Sequence, residues 1–108
     1  MKTWDTSGLD IEPHKPHIVS STDAARVICL SLPAGERMQE HEVHERAYLV
    51  VIDGEVEVSD VGTAVTGGTG LTVTFDPHER HTVRAATDAR LLLVLAPWPG
   101  DGHPGARD

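Results

Sequence analysis

The sequence is poor in cysteine, in aromatic side chains and in basic residues, and each shortage excludes a class of protein. The single cysteine, Cys29, cannot form a disulfide within the chain, which favours a reducing compartment and a buried core position for this residue. Nine lysines and arginines stand against seventeen aspartates and glutamates, which gives a net charge of −8. Because phosphate contacts need clustered basic side chains, this charge argues against nucleic acid and against an anionic membrane surface as partners.

Long apolar runs and helical patterns are also missing. No run of apolar residues reaches the length of a membrane span, and the first ten residues contain no apolar segment of the kind that signal peptides need. No ten-residue segment carries apolar residues at the three- and four-residue spacing of a helix. We therefore expect a cytoplasmic protein that has no membrane partner and no substantial helix.

The apolar residues that are present fall into short β-strand patterns. The segments 26–32, 46–52 and 90–96 are nearly continuous apolar runs, whereas 55–59 and 71–75 alternate between apolar and polar residues. Glycine, proline and aspartate separate these segments at regular intervals. About eight short strands with such turns predict a single all-β domain, either a sandwich or a barrel.

The ends of the chain lack these patterns, and three segments are predicted. Residues 1–22 form an N-terminal arm, because the segment has no periodic pattern and prolines interrupt it, and residues 17–20 could form an edge strand. Residues 23–97 form the β-barrel domain. Residues 98–108, rich in proline, glycine and charge, form an extended or disordered tail.

The dipeptide Asp53-Gly54 stands between two strand patterns and predicts a two-residue hairpin. The register of that hairpin pairs Val51 with Val56. Cross-strand partners share a face of the sheet, as do residues two apart on one strand. The interior face predicted in this way consists of Ala47, Leu49, Val51, Val56 and Val58.

The stretch 35–54, GERMQEHEVHERAYLVVIDG, resembles the first motif of the cupin superfamily, G-x5-H-x-H-x3,4-E-x6-G. Gly35, His41 and Gly54 match this motif in identity and spacing. The resemblance extends over residues 26–96 and implies a single-domain double-stranded β-helix, the cupin jelly roll, built from two antiparallel sheets.

The second cupin motif has a proline a few residues before a histidine, and Pro77 and His81 resemble it with one residue fewer between them than usual. The two motifs together imply a divalent metal, which cupins bind through two histidines and a glutamate of the first motif and a histidine of the second. In this chain Val43 stands at the second histidine position and Ala47 at the glutamate position. Only His41 and His81 remain, and stable metal sites usually have three or four protein ligands.

Two neighbouring residues, His44 and Glu45, could replace the missing ligands. On a straight strand His44 would point away from His41, but a turn or bulge over residues 42–45 would bring His44 or Glu45 inward. The candidate ligands for a divalent transition metal (Fe, Mn, Ni, Zn or Cu) are therefore His41, His44, His81 and Glu45. The alternatives are an ordinary strand residue for His41, a solvated turn residue for His44 and a core histidine bonded to backbone for His81.

Two functions follow from the resemblance and from these departures. The first is a small cupin that binds a divalent metal and a small organic ligand in its barrel. If such a protein is an enzyme, the family implies an oxygenase-type or isomerase-type reaction, with the metal as Lewis acid or dioxygen carrier, His41, His44 and His81 as its ligands and Glu45 as ligand or base. The second is a metal-free cupin that binds or senses a small molecule, with Val43 and Ala47 making the pocket apolar.

A homodimer is also predicted. The second face of the strand 46–52 carries Tyr48, Val50 and Ile52, which is more apolar surface than solvent exposure favours. A second subunit or one of the terminal arms would explain it. Small cupins of this length often form dimers, so the resemblance adds to the expectation of a second subunit.

Overall fold

The computed structural model describes residues 1–41 and 43–103, without the side chains of residues 39–41. Nine β-strands and no helix occur in this part of the chain, and so nothing in it could cross a membrane as a helix. In chain order the strands are β1 His17–Ser21, β2 Arg26–Leu32, β3 Arg37–His41, β4 Arg46–Asp53, β5 Val56–Ser59, β6 Ala64–Gly67, β7 Thr72–Phe75, β8 His81–Ala85 and β9 Ala89–Ala96.

The strands form two antiparallel sheets that pack face to face. The first sheet has the order β1-β2-β9-β4-β7 and the second the order β3-β8-β5-β6. Neighbours within each sheet are often distant in sequence, as expected when a chain winds back and forth between the two layers of a jelly roll. The predicted all-β fold, a double-stranded β-helix without helices, is confirmed for the described residues.

The core lies between the two sheets and is aliphatic. The five residues of the predicted interior face are all at most 4% exposed, so this prediction is confirmed. Alternation along β9 places Leu91, Leu93 and Leu95 on the same side. The rest of the buried cluster consists of Leu30, Leu32, Phe75, Val83, Ala85 and Ala89.

The hairpin predicted at Asp53-Gly54 is wrong, although the face derived from it is right. Strand β4 pairs with β7 and β9, and β5 pairs with β6 and β8, so the connection crosses from one sheet to the other. Gly54 has φ 82°, and a Cβ on it would lie 2.2 Å from the carbonyl oxygen of Asp88. An Asp-Gly pair permits a positive φ in a hairpin and in a corner between sheets alike, and long-range packing decides which one forms.

The N-terminal arm covers part of the outer face of the five-stranded sheet. Cys29 lies on this face and is 0% exposed, with its Sγ 3.9 Å from the carbonyl oxygen of Thr6. Arg90 Nη1 donates hydrogen bonds to the carbonyl oxygens of Thr6 and Ser7, at 2.9 and 3.0 Å. Desolvation raises the pKa of the Cys29 thiol, against the opposing effect of the Arg90 charge. The cysteine is buried as predicted, but beneath the arm and outside the core between the sheets.

The strands run between two ends of the barrel, which we name the base and the mouth. The base consists of the connections 33–36, 53–55, 68–71 and 86–88. The mouth consists of the connections 22–25, 43–45, 60–63 and 76–80 together with residues 97–103. All four candidate metal ligands lie in the mouth or directly next to it, where β3 ends and where β4 and β8 begin.

Candidate functional site

His41 and His81 are opposite each other in the second sheet. Their Cα atoms are partners in the β3–β8 ladder, which is irregular between Met38 and His41. The two motif histidines, forty residues apart in sequence, are thus brought to the same end of the barrel. The His41 side chain lies outside the described part of the structure, as does the whole of Glu42, and the role of His41 stays a prediction.

His81 faces the interior and closes the apolar core at the mouth. It is 3% exposed, and its ring stacks on Phe75 with a centroid distance of 3.8 Å and an interplanar angle of 12°. Its Nδ1 lies 3.3 Å from the carbonyl oxygen of Glu79, which it contacts as a donor when the proton is on Nδ1. The stack and this contact fix the orientation of the ring.

Glu45 is the most deeply buried charged residue of the described chain. It stands two residues before Ala47, on the same side of the strand, and it is 1% exposed. Its Oε2 accepts a hydrogen bond of 2.7 Å from the backbone N–H of Gly100. A buried carboxylate is costly unless it is hydrogen-bonded, so this contact with the C-terminal segment stabilises its position.

His44 is half-buried beside two other histidines at the rim of the mouth. Its ring meets those of His78 and His103 edge-on, at centroid distances of 4.8 and 5.5 Å. Its Nδ1 is buried and has no hydrogen-bond partner among the described residues. Buried polar atoms in folded proteins nearly always have a partner, so this nitrogen is unusual among the described side chains.

Residues 97–103, which we name the C-terminal strap, close over this histidine cluster. The guanidinium of Arg26 lies 4.0 Å above the ring of Trp98, and the backbone N–H of Trp98 donates a hydrogen bond of 3.4 Å to the carbonyl oxygen of Asp23. The ring of His103 lies 4.6 Å from that of Trp98. The tail predicted for residues 98–108 is described only as far as His103, and 104–108 lie outside the description.

Sequence reasoning missed the strap and assigned no role to His103. The strap lies beyond the apolar patterns, and its contact with Glu45 joins residues 55 positions apart. The available signal was Gly100: a Cβ there would lie 2.2 Å from the carbonyl oxygen of His44, so only glycine permits this approach. A single glycine in a glycine-rich tail does not reveal such a contact.

The mouth contains a cavity of about 390 Å³ beside the strap. Its walls come from the start of β4, from the turn before β8, from the end of β9 and from the strap, namely His44, Glu45, Arg46, Pro77, His78, Ala96, Pro97, Gly100 and Asp101. A second cavity of about 110 Å³ is lined by Ser59, Asp60, Val61, Arg80, His81 and Thr82. The structure thus brings His44 and Glu45 together at one cavity, while His81 lines another.

The metal site predicted from the four candidates is not assembled by the described side chains alone. Among the side chains that the structure describes, no three histidines, cysteines, aspartates or glutamates are arranged to hold a metal ion. His44, Glu45 and His81 therefore do not form such a site by themselves in this arrangement. The four-residue site depends on His41, and it stays a prediction.

Comparison with solved structures finds the same fold in several proteins. An RmlC-like cupin from Desulfovibrio desulfuricans matches with a TM-score of 0.80 and 21% identity, over 90% of this chain and 97% of that one. A conserved protein with a double-stranded β-helix domain from Klebsiella pneumoniae has a TM-score of 0.79 and 18% identity, over 93% of this chain and 94% of that one. At these identities the likeness shows the fold alone.

The family is shown by the sequence itself. None of the curated proteins compared with the chain matches it. The sequence model of the cupin domain matches residues 29–96, which include every strand from β3 to β9 and leave the N-terminal arm and the strap outside. The chain therefore belongs to the cupin family.

Proposed function

We propose that this cupin binds a small organic molecule in the mouth cavity, where Glu45 and His44 supply the polar contacts. The observation that carries the proposal is the buried Nδ1 of His44, which has no partner among the described residues and belongs to a residue that lines the cavity. Ligand pockets typically combine an apolar lining with a few buried polar groups that fix orientation. This cavity has that composition.

The lining indicates the kind of molecule that would fit. A volume of about 390 Å³ is at the small end of the range for ligand sites. Pro77, Ala96 and Pro97 supply an apolar wall. The Glu45 carboxylate accepts hydrogen bonds, and His44 Nδ1 donates or accepts according to the tautomer. A small molecule with an apolar part and at least one N–H or O–H group matches these walls.

A second candidate is the metal-dependent form of the same function, with His41, His44, His81 and Glu45 as ligands. The contact between His81 Nδ1 and the Glu79 carbonyl favours it, because metal-binding histidines usually hold their second nitrogen in this way. A bound divalent ion (Fe, Mn, Ni, Zn or Cu) would supply Lewis acidity or dioxygen binding to an oxygenase-type or isomerase-type reaction. In this form His44 and Glu45 would hold the ion and would not contact the organic ligand directly.

Ligand-observed NMR with a library of small polar molecules tests the first candidate on the untagged full chain. We expect the molecules that bind to lose affinity by about tenfold or more in Glu45→Gln, which replaces a charged acceptor by a neutral one, and in His44→Phe, which removes a polar contact. The matched control is Glu57→Gln, on an exposed position of β5, which should leave affinity unchanged. Equal affinity in all three variants would place the ligand outside the mouth cavity.

Metal analysis of the same untagged protein tests the second candidate. Bound metal below about a tenth of an equivalent, with no uptake of added Fe, Mn, Ni, Zn or Cu, would exclude it. If metal binds, His81→Ala should abolish binding, and retained stoichiometric affinity in that variant would locate the site elsewhere.

We also propose that the chain forms a homodimer through the outer face of the five-stranded sheet. Tyr48 on this face is 39% exposed and Ile18 at its edge is 49% exposed. Light scattering coupled to size exclusion measures the molar mass directly. Tyr48→Lys should shift a dimer to monomer, and a monomeric wild-type protein would contradict the proposal.

A further inference from the structure

We infer that the C-terminal strap is a removable cover over Glu45, and that a ligand reaches the carboxylate by displacing the Gly100 amide. The first half concerns the strap alone and is independent of any ligand. The second half rests on the ligand-binding function proposed above, and it narrows the ligand to molecules that carry an N–H or O–H donor.

The contact between Gly100 and Glu45 is one that a ligand could take over. The Gly100 N–H donates to Oε2 of a buried carboxylate at 2.7 Å. Hydrogen bonds to a charged acceptor are stronger than bonds between neutral groups, so the strap satisfies a group that otherwise needs a donor from elsewhere. An amine, an amide or a hydroxyl group would make the same bond. A carboxylate would be repelled by Glu45, and the cation on the same cavity, Arg46, is already paired with Asp76 at 2.8 Å.

The strap is attached to the barrel by contacts that can break without opening either sheet. It forms no strand pairing among the described residues and lies outside the part of the chain that matches the cupin domain. Trp98 packs against the edge of the core, lies under the Arg26 guanidinium at 4.0 Å, and is joined to the barrel backbone by one long hydrogen bond of 3.4 Å. A segment that has no ladder hydrogen bonds to either sheet opens at a lower free energy than the paired strands do.

Gly100 offers a way to detach the strap and leave the barrel intact. A methyl group there would lie 2.2 Å from the His44 carbonyl oxygen and 3.1 Å from the Glu45 nitrogen, so Gly100→Ala must move the strap away. Gly62→Ala is the matched control. It adds the same methyl group on an exposed turn of the mouth, with no atom within 4 Å.

The fluorescence of Trp98 reports the position of the strap. Trp4→Phe removes the only other tryptophan and serves as the background. Because a detached Trp98 loses its cover, we expect Gly100→Ala to raise the acrylamide quenching constant by about twofold or more, and Gly62→Ala to leave it unchanged. The circular dichroism of the sheets should be the same in both variants.

Two results would overturn the removable cover. Trp98 could remain equally shielded in Gly100→Ala, which would show that the strap does not depend on this close approach. Alternatively, the β-sheet signal could be lost in Gly100→Ala or in a chain that ends at Pro97, which would make the strap an integral part of the fold.

A panel of small amines, primary amides and polyols, with carboxylic acids of the same size, tests the displacement. Apparent affinity is proportional to the population of the open state that can bind, so the donors that bind should bind about fivefold or more tightly to Gly100→Ala than to the wild type or to Gly62→Ala. Equal affinities, or a preference for the acids, would overturn displacement. If no compound binds any variant while Trp98 is released, the ligand-binding function fails and the removable cover stands.

Discussion

The base and the mouth of the barrel are made of the same strands, yet they satisfy their polar groups in different ways. At the base, backbone carbonyls and exposed side chains accept from the backbone: Gly35 N–H donates to the Ala85 carbonyl oxygen at 2.8 Å, and Glu55 N–H donates to Thr87 Oγ1 at 3.0 Å. At the mouth, a buried carboxylate depends on the strap and a buried imidazole nitrogen lacks a partner among the described residues. The comparison indicates that the base is satisfied by local contacts, whereas the mouth depends on a contact between distant segments and contains one buried polar atom without a partner among the described residues.

The largest effect is expected from a substitution at the base. In Gly54→Ala the new methyl group would meet the backbone of Asp88 at 2.2 Å, and the residue would keep a φ of 82°. Since neither the overlap nor the backbone strain can relax through a side chain, we expect the free energy of unfolding to fall by about 3 kcal/mol or more. Denaturant-induced unfolding followed by circular dichroism measures this quantity.

Gly70→Ala is the control that separates the steric overlap from the backbone strain. Gly70 has φ 95° and no atom within 4 Å of its Cβ position, so alanine there brings strain without overlap. A loss of about 1–2 kcal/mol is expected. If the two variants lose equal stability, the close packing of the corner against Asp88 contributes nothing, and the base is less rigid than the structure indicates.

The difference between the two ends also explains what the sequence could predict. The base and the walls follow from local patterns: apolar residues two apart, such as Leu49 and Val51, predict their own burial, and Asp53-Gly54 predicts a reversal of direction. Which strand pairs with which could not be predicted, because a corner between sheets and a hairpin use the same residues. The double-stranded β-helix came from the motif resemblance and not from the periodicity.

The candidate site was less predictable, since it depends on contacts between distant segments. The sequence allows a turn or bulge over residues 42–45 that brings Glu45 inward, and it also allows a straight strand there. The donor to its carboxylate, Gly100, is 55 residues away in a segment without any pattern. His78 and His103 approach His44 for the same reason, through turns whose paths depend on packing and not on propensity.

A smaller effect is expected from Glu45, and it tests whether the mouth depends on its polar contacts. Glu45→Ala leaves the Gly100 N–H without its acceptor in a buried position, so the free energy of unfolding should fall by about 1–2 kcal/mol. Glu45→Gln keeps an acceptor oxygen in a side chain of similar shape, so its free energy of unfolding should fall by less than about 1 kcal/mol. Chemical denaturation of the two variants against the wild type gives both values. Equal losses would show that the charge, and not the hydrogen bond, holds the strap.

The smallest effect on stability, with the largest on function, is expected from His44→Phe. A phenyl ring keeps the edge contacts with His78 and His103 and removes the buried nitrogen that has no partner in the described structure. Because a buried unpaired polar atom costs free energy, the free energy of unfolding should stay unchanged or rise by up to about 1 kcal/mol, while ligand affinity at the mouth falls by about tenfold or more. Denaturation and binding, measured on the same sample, test both halves. A loss of stability greater than about 1 kcal/mol would mean that His44 stabilises the fold as the base does. The proposed difference between the base and the mouth would then be wrong for His44.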